Sequence, residues 1–474
     1  MLSIPEFKDA QRVFYYFEQI SKIPHGSSNC KKIADYLVEF AKAHGLSYYR
    51  DDAENVIIRK PATSGYEHRP TVIIQGHTDM VAEKLPELTL DMEREGLKIY
   101  RDGDFLRAEG TTLGGDDGIA VAYALALLEA DDIPHPALEA LFTSDEEIGL
   151  LGASALDESQ LSGKIMINVD SDDEGIFTVG CAGGVRTDMT FGVTECVAAG
   201  KKYKLTVSGL LGGHSGVEID KGRANAIKLG ASVLSFMKNV RIASVLGGNA
   251  DNAIPRDFSA QFVADGDVFA ACERARAAAF NLYEDTDPDI KITVEESEFD
   301  TPVLDEKSSL CIINTINKIP SGIISMSKEI EGLVESSMNL GIVRLEGGEA
   351  RFTVSVRSAK GDKKTSLKQF LRSIAREAGA TYSERGEYPA WEYKADSHIR
   401  DVACRVFSAM YGRDAEVITI HAGLECGIFS NKIEGLDCIS FGPDNFDIHT
   451  TEEHLSISSC ARVWEFLKNI LKEI

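Results

Sequence analysis

Thr71-Val-Ile-Ile-Gln-Gly-His-Thr-Asp79 decides the fold. Val72, Ile73 and Ile74 are three consecutive branched apolar residues with no polar face between them, so the segment predicts a strand buried on both sides. The strand then ends in a glycine and turns polar at His77 and Asp79. The same grammar recurs along the chain. Leu138 to Thr143 runs into Ser144-Asp145-Glu146-Glu147, Lys164 to Val169 runs into Asp170, and Asp437 to Phe441 is followed past a loop by His449. An apolar helix is expected over Gly118 to Ala130, opened by Gly114-Gly115-Asp116-Asp117. Strand, helix, strand, strand in this order predicts an α/β domain whose mostly parallel or mixed sheet is covered on both faces.

Upstream, two helices are expected. Ser3 and Glu6 have the spacing of a capping box, Pro5 suits a first helical turn, and Val13, Phe14, Phe17 and Ile20 form an apolar face. The second runs from Lys32 to Ala43, with Ile33, Leu37 and Phe40 on one side and Gly45 as its stop. Downstream, the pattern changes near Lys202. Strands at 203–207, 241–246, 259–263 and 290–294 alternate with helices at 224–238 and 268–283, followed by strand 350–356, helix 366–378 and strand 381–385. That is an α+β insert of the ferredoxin-like kind. Past Pro389-Ala-Trp391 the first pattern resumes, with a helix at 399–410, strands at 416–420 and 437–441, and a last helix at 458–471. The expected organisation is a catalytic domain over 1–186 and 390–474, interrupted by an inserted domain over 187–389.

A chain of 474 residues exceeds one ordinary core, and 43% apolar with 26% charged residues is the composition of a globular enzyme. The net charge of −25 opposes nucleic-acid binding, which needs clustered Lys and Arg. No uninterrupted apolar run reaches the roughly 18 residues a membrane span requires. The opening MLSIPEFKDAQ has neither a basic nor an apolar leader segment, and the nine cysteines include no CxxC pair. These features predict reduced thiols and a cytoplasmic protein, without nucleic-acid or membrane partners.

Ligand sites of open α/β sheets collect beyond the carboxyl ends of the strands. His77, Glu146-Glu147, Asp170 and His449 all follow strand ends, and Asp116-Asp117 opens a helix in the same layer. Singly, each has an ordinary reading as a surface histidine, a solvated acid or a helix cap. Jointly they do not, because so many carboxylates would repel one another unless cations sat among them. Two histidines and three carboxylates suit a pair of borderline ions, zinc first among them and cobalt or manganese also acceptable. Such ions lie about 3.5–4 Å apart and share one activated hydroxide. Of Glu146 and Glu147, one would bind metal and the other would take the proton of the attacking water. Asp79, two residues past His77, would orient the imidazole.

The motifs Gly76-His-Thr-Asp-Met80, Leu113-Gly-Gly-Asp-Asp-Gly118, Thr143-Ser-Asp-Glu-Glu-Ile-Gly149, Asn168-Val-Asp-Ser-Asp-Asp-Glu-Gly175, Gly212-Gly-His-Ser-Gly216, Asp251-Asn-Ala-Ile-Pro255 and His421-Ala-Gly-Leu-Glu-Cys-Gly-Ile-Phe429 occur in this order. Together they resemble the aminoacyl-histidine dipeptidases, within the two-metal aminoacylase and glutamate-carboxypeptidase group, along essentially the whole chain. The resemblance implies hydrolysis of dipeptides, Xaa-His such as β-alanyl-histidine preferred, by a metal-bridged hydroxide. It implies His77 and Asp170 on one metal, Glu147 and His449 on the other, and Asp116 bridging, with a cis Asp116-Asp117 bond. It further implies Glu146 as general base, Asp79 behind His77, and His214 at the oxyanion. Asn252 and Arg357 would sit at the substrate carboxylate, and the insert would act as lid and dimerisation domain of a homodimer. Asp117 departs from an asparagine common in this group, and Phe446-Asp-Ile-His-Thr-Thr-Glu-Glu-His454 offers His454 as a second candidate beside His449. His421 and Glu425 receive no role. A two-metal tripeptidase or N-acyl amino acid deacylase is the alternative reading.

Overall fold

The structure, a computed structural model, describes residues 4–330 and 332–474. It divides into two compact units, one of residues 1–181, 393–419 and 424–474 and the other of 182–392 and 420–423. The sequence places these boundaries at 186/187 and 389/390; the units divide at 181/182 and 392/393, and Ile420–Gly423, expected within the 390–474 catalytic segment, group with the second unit.

The first unit is built on a sheet of eight strands in the order Ser47–Arg50, Val56–Lys60, Leu138–Thr143, Val72–His77, Ile165–Asn168, Asp437–Ser440, Ile176–Cys181, Glu416–Ile420. Its centre is parallel. Val72–His77 runs in register with Leu138–Thr143 on one side and Ile165–Asn168 on the other, and Asp437–Ser440 continues the parallel run. The flanking strands Val56–Lys60 and Ile176–Cys181 are antiparallel to it, so the sheet is mixed. Every residue of Val72–His77, Leu138–Thr143 and Ile165–Asn168 is buried, as unbroken apolar runs between two helical layers require. The helix Gly115–Glu129 is buried along almost its whole length and lies against the strand Val72–His77. Four strand ends therefore open on one edge of the sheet.

The first helix begins later than its expected cap. Residues Lys8–Ala10 form a 3₁₀ turn and the α-helix spans Gln11–Ser21 without a side-chain cap. Ser3 lies outside the described residues, and Glu6 pairs with Arg101 instead of reaching back to a helix terminus. The apolar face Val13, Phe14, Phe17 and Ile20 is buried as its spacing requires.

The second unit contains a nine-stranded sheet. Lys202–Ser208, Lys238–Gly247, Phe258–Asp265 and Lys291–Glu296, with helices Ala226–Ser235 and Val268–Tyr283, make a βαββαβ half in the spatial order 4-1-3-2. Gly183–Gly192, Val334–Glu346, Glu349–Ser358 and Thr381–Tyr388, with helices Glu306–Lys318 and Gly361–Ala378, make another in the order 2-3-1-4. Both are ferredoxin-like. The first half is an excursion from the second, and they join edge to edge where Leu246 and Gly247 pair with Arg344 and Val343.

Candidate metal centre

At the open edge of the parallel strands, His77 Nε2 stands 3.0 Å from Asp116 Oδ1 and 3.8 Å from Asp170 Oδ1. His449 Nε2 stands 3.1 Å from Asp116 Oδ2 and 3.0 Å from Glu147 Oε1. Asp116 thus faces one imidazole with each oxygen. Potential ligand atoms of His77, Asp116 and Asp170 fall within 4.8 Å of one another, as do those of Asp116, Glu147 and His449 and those of His77, Glu146 and Glu147. The Asp116-Asp117 peptide bond is cis.

Local backbone chemistry presents each group. His77 Nδ1 contacts the Asp79 carbonyl oxygen at 2.9 Å. A carbonyl only accepts, so Nδ1 carries the proton, and in the neutral ring Nε2 is a bare donor of its lone pair. This differs from the expected part of Asp79: its carboxylate is 3.6 Å from the ring, and the main chain does the orienting. The Asp79 carboxylate instead accepts the Glu146 N–H at 2.9 Å, the Glu147 N–H at 3.3 Å and the Ser27 hydroxyl at 2.8 Å. It ties the strand end carrying His77 to the loop carrying both glutamates. Asp117 accepts the His77 N–H at 3.2 Å, a bond for which a carboxylate or amide oxygen serves equally.

The electrostatics are those of a cluster short of positive charge. Among the described residues no Lys or Arg forms an ion pair with Asp116, Glu146, Glu147 or Asp170. Burial pushes the Glu146 carboxyl up to about 8, with the charges of Glu425, Asp116 and Glu147 adding to it against the pull of His77. Burial likewise raises Asp170 well above the carboxylate range. For His77, burial acts to lower the proton affinity, yet contacts with Asp116 and Asp79 outweigh it and raise the ring well above its ordinary value. The bonds to Asp116 and Glu147 raise His449 to about 10. The surrounding acids raise the proton affinity of both imidazoles, the nearest groups that can carry positive charge. Asp170 Oδ2 is buried without a hydrogen-bond partner. Two imidazole nitrogens facing carboxylate oxygens, an unpaired buried carboxylate oxygen and no competing Lys or Arg among the described residues fit a divalent-metal site.

His454 is not part of the cluster. Its Nδ1 contacts the Glu452 carbonyl at 2.9 Å, and its ring stacks on Phe446. Glu425, without a role in the sequence, is fully buried; it accepts from Gln75 Nε2 at 2.5 Å and Thr143 Oγ1 at 2.6 Å. Asn168 Nδ2 donates to Gln75 Oε1 at 2.7 Å. This polar layer ties together three parallel strands just before His77, Glu146-Glu147 and Asp170. Only the spacing of Gln75 and Asn168, each two residues before a ligand candidate, hinted at it.

His214, Asn252 and Arg357 belong to the second unit. His214 Nδ1 accepts the N–H groups of Gly216 at 3.3 Å and Val217 at 3.2 Å, so its proton sits on Nε2, which is thereby a donor. Burial and the charge of Arg357 lower its proton affinity and keep the ring neutral. Arg357 donates to the Tyr388 hydroxyl at 2.9 Å, and its Nε is buried without a partner. Asn252 is exposed, beside the short strand Ala253–Ile254 that pairs with Gly213–His214. His421 contacts the Ser337 hydroxyl at 2.7 Å.

A mixed α/β sheet with imidazoles and carboxylates gathered at its parallel strand ends, interrupted by a ferredoxin-like α+β insert, is the architecture of a metallopeptidase. The sequence profile of Peptidase family M20/M25/M40 matches residues 73–473, and the chain belongs to this family. It is 34% identical over 475 residues to the cytosol non-specific dipeptidase of Escherichia coli (strain K12), covering 98% of both chains. The crystal structure of aminoacylhistidine dipeptidase from Vibrio alginolyticus superposes with a TM-score of 0.90 at 33% identity, over 98% of this chain and 96% of that one. Aminopeptidase PepT from Bacillus cereus, at 17% identity, shares the fold with a TM-score of 0.56 over 98% of both chains. No helix among the described residues is long and apolar enough to cross a membrane.

Proposed function

We propose that this protein is a cytoplasmic, homodimeric dipeptidase that holds two divalent ions, zinc by preference, and cleaves Xaa-His dipeptides such as β-alanyl-histidine. The observation that carries the proposal is the meeting of His77, Asp116, Glu147, Asp170 and His449 from five distant stretches of chain, with potential ligand atoms grouped within 4.8 Å. Its two Asp116-containing groups, His77 with Asp170 and Glu147 with His449, would hold one ion each. The names borne by the Escherichia coli and Vibrio relatives support the substrate class.

When bound, the ions polarise the scissile carbonyl and make the attacking water more acidic. Glu146, buried beside the ligands, takes the proton from that water and delivers it to the leaving amine nitrogen. Asp79 holds Glu146 in place through the main-chain N–H it accepts. His214, with its proton on Nε2, donates to the oxygen that becomes negative as the carbonyl is attacked. Arg357 and Asn252 hold the terminal carboxylate of the dipeptide, a guanidinium being suited to bidentate pairing.

Metal analysis and a peptide panel, run before and after chelation, test this reading. Histidine release from several Xaa-His dipeptides, abolished by chelation and restored by zinc, supports it. Cleavage of acetyl-amino acids alone, or of tripeptides alone, replaces it with the corresponding deacylase or tripeptidase, and activity that survives complete metal removal overturns it.

A further inference from the structure

Glu453 is 3% exposed, and its carboxylate accepts four consecutive main-chain N–H groups. Leu113 and Gly114 donate to Oε2 at 2.6 and 3.0 Å, and Gly115 and Asp116 to Oε1 at 2.8 and 3.4 Å. These donors belong to the loop that delivers Asp116 and to the start of the helix Gly115–Glu129, whose own N-cap residue, Gly114, makes no side-chain cap bond. The helix is thus capped from elsewhere in the chain, by an anion placed at the positive end of its dipole. The loop is shaped for the role. Gly114 sits at φ 69°, and a Cβ on Gly115 would press against the Asn445 side chain.

On its other side Glu453 closes the loop that carries His449. Glu453 N donates to the Thr450 carbonyl at 3.2 Å, and the Thr450 hydroxyl bonds the Asp447 carbonyl at 2.7 Å and receives the Glu452 N–H at 3.2 Å. Asp447 and His449 hold φ values of 52° and 62°, conformations that need such support in residues with side chains. One buried carboxylate therefore connects the loop ending at Asp116 with the loop bearing His449, and those two side chains stand 3.1 Å apart.

We propose that Glu453 is a positioning residue of the metal centre, fixing Asp116 relative to His449 so that both are presented to the same ion. The inference rests on the metal-centre reading above. A cap that served folding alone would affect stability and leave metal affinity untouched. The test is chelator-competition titration of zinc at 25 °C on folded protein, for wild type, Glu453→Gln, Glu453→Asp and the exposed neighbour Glu452→Gln as control. The expected result is a loss of affinity of about 10–100-fold for at least one ion in Glu453→Gln, a smaller loss in Glu453→Asp and none in the control. Activity of both Glu453 variants should recover toward wild type as free zinc is raised. Wild-type affinity in either folded Glu453 variant overturns the inference, whereas failure of the wild-type protein to bind two ions overturns the reading beneath it. Should neither variant fold, amide hydrogen exchange on the wild type decides. Zinc must slow exchange at 113–116 and 449–453 together, and protection of only one of these segments refutes the coupling.

Discussion

Glu146 and Glu147 are neighbours in sequence with opposite surroundings. Glu147 faces His449 at 3.0 Å, whereas burial makes Glu146 hold its proton more tightly. Replacing Glu146 with Gln keeps the size and removes the ability to take a proton. The expected outcome is a fall in kcat of about 10²–10⁴-fold with metal content unchanged, checked by steady-state kinetics beside metal analysis. Loss of metal together with activity would make Glu146 a ligand instead. His421 is buried in the second unit between Ser337 and the charge of Arg357, and burial pushes it down to about 4. Its folded value lies below the roughly 6.5 of the unfolded chain, so below about pH 6.5 the unfolded state binds more protons and stability falls as the pH drops toward 4. The full loss is on the order of 3 kcal/mol, present only below the folded value. Denaturant titrations of this unit's transition between pH 4 and 7 should show that slope in wild type and a flatter one in His421→Gln. The residues that sequence identified were those whose type stands out after a strand end. Glu453 did not stand out, because one more acid in Thr-Thr-Glu-Glu looks solvated until its four donors, over three hundred residues earlier, are folded against it.

At the scale of elements, the central strands were legible because burial on both faces demands unbroken branched apolar runs. The sequence pattern marks Leu138–Thr143 at its observed bounds and Val72–His77 within two residues. Gly183–Gly192 escaped. Its two opening glycines weaken the signal, although Val185, Thr187, Met189 and Phe191 alternate inward with Arg186, Asp188 and Thr190, and the strand pairs with Glu349–Ser358 and Thr381–Tyr388. The helix Glu306–Lys318 and the strand Val334–Glu346 escaped with it, and without them the second ferredoxin-like half could not be counted. One contact between elements sets the geometry of the site. At Gly76 the strand carrying His77 meets the helix that follows Asp116, and an added Cβ would overlap Ala120 Cβ and stand 2.6 Å from Asp117 Oδ2. Gly76→Ala should therefore destabilise the first unit by about 1–3 kcal/mol, read as a lower denaturation midpoint. Because Asp117 also accepts the His77 N–H, metal affinity should fall along with stability.

For the whole molecule, each unit has a hydrophobic core of its own, the first reaching from Ile4 to Ile474 and the second from Val185 to Ala375. The metal-ligand candidates all belong to the first. A ligand that binds only the folded state stabilises the part that binds it, by about 2.7 kcal/mol for each site at a hundredfold excess over Kd. Two ions should therefore add on the order of 5 kcal/mol to the first unit and nothing directly to the second. Removing them also leaves a cluster with several carboxylates and only two imidazoles to answer them, in a chain of net charge −25. Calorimetry of zinc-loaded and chelated protein should resolve this into a transition that moves down by several degrees on chelation and one that stays in place. Fluorescence should report both transitions, because of the two buried tryptophans of the chain Trp464 lies in the core of the first unit and Trp391 belongs to the second. If both transitions moved equally, the units would be unfolding as one. If neither moved, the strand-end cluster would hold no metal that matters to folding.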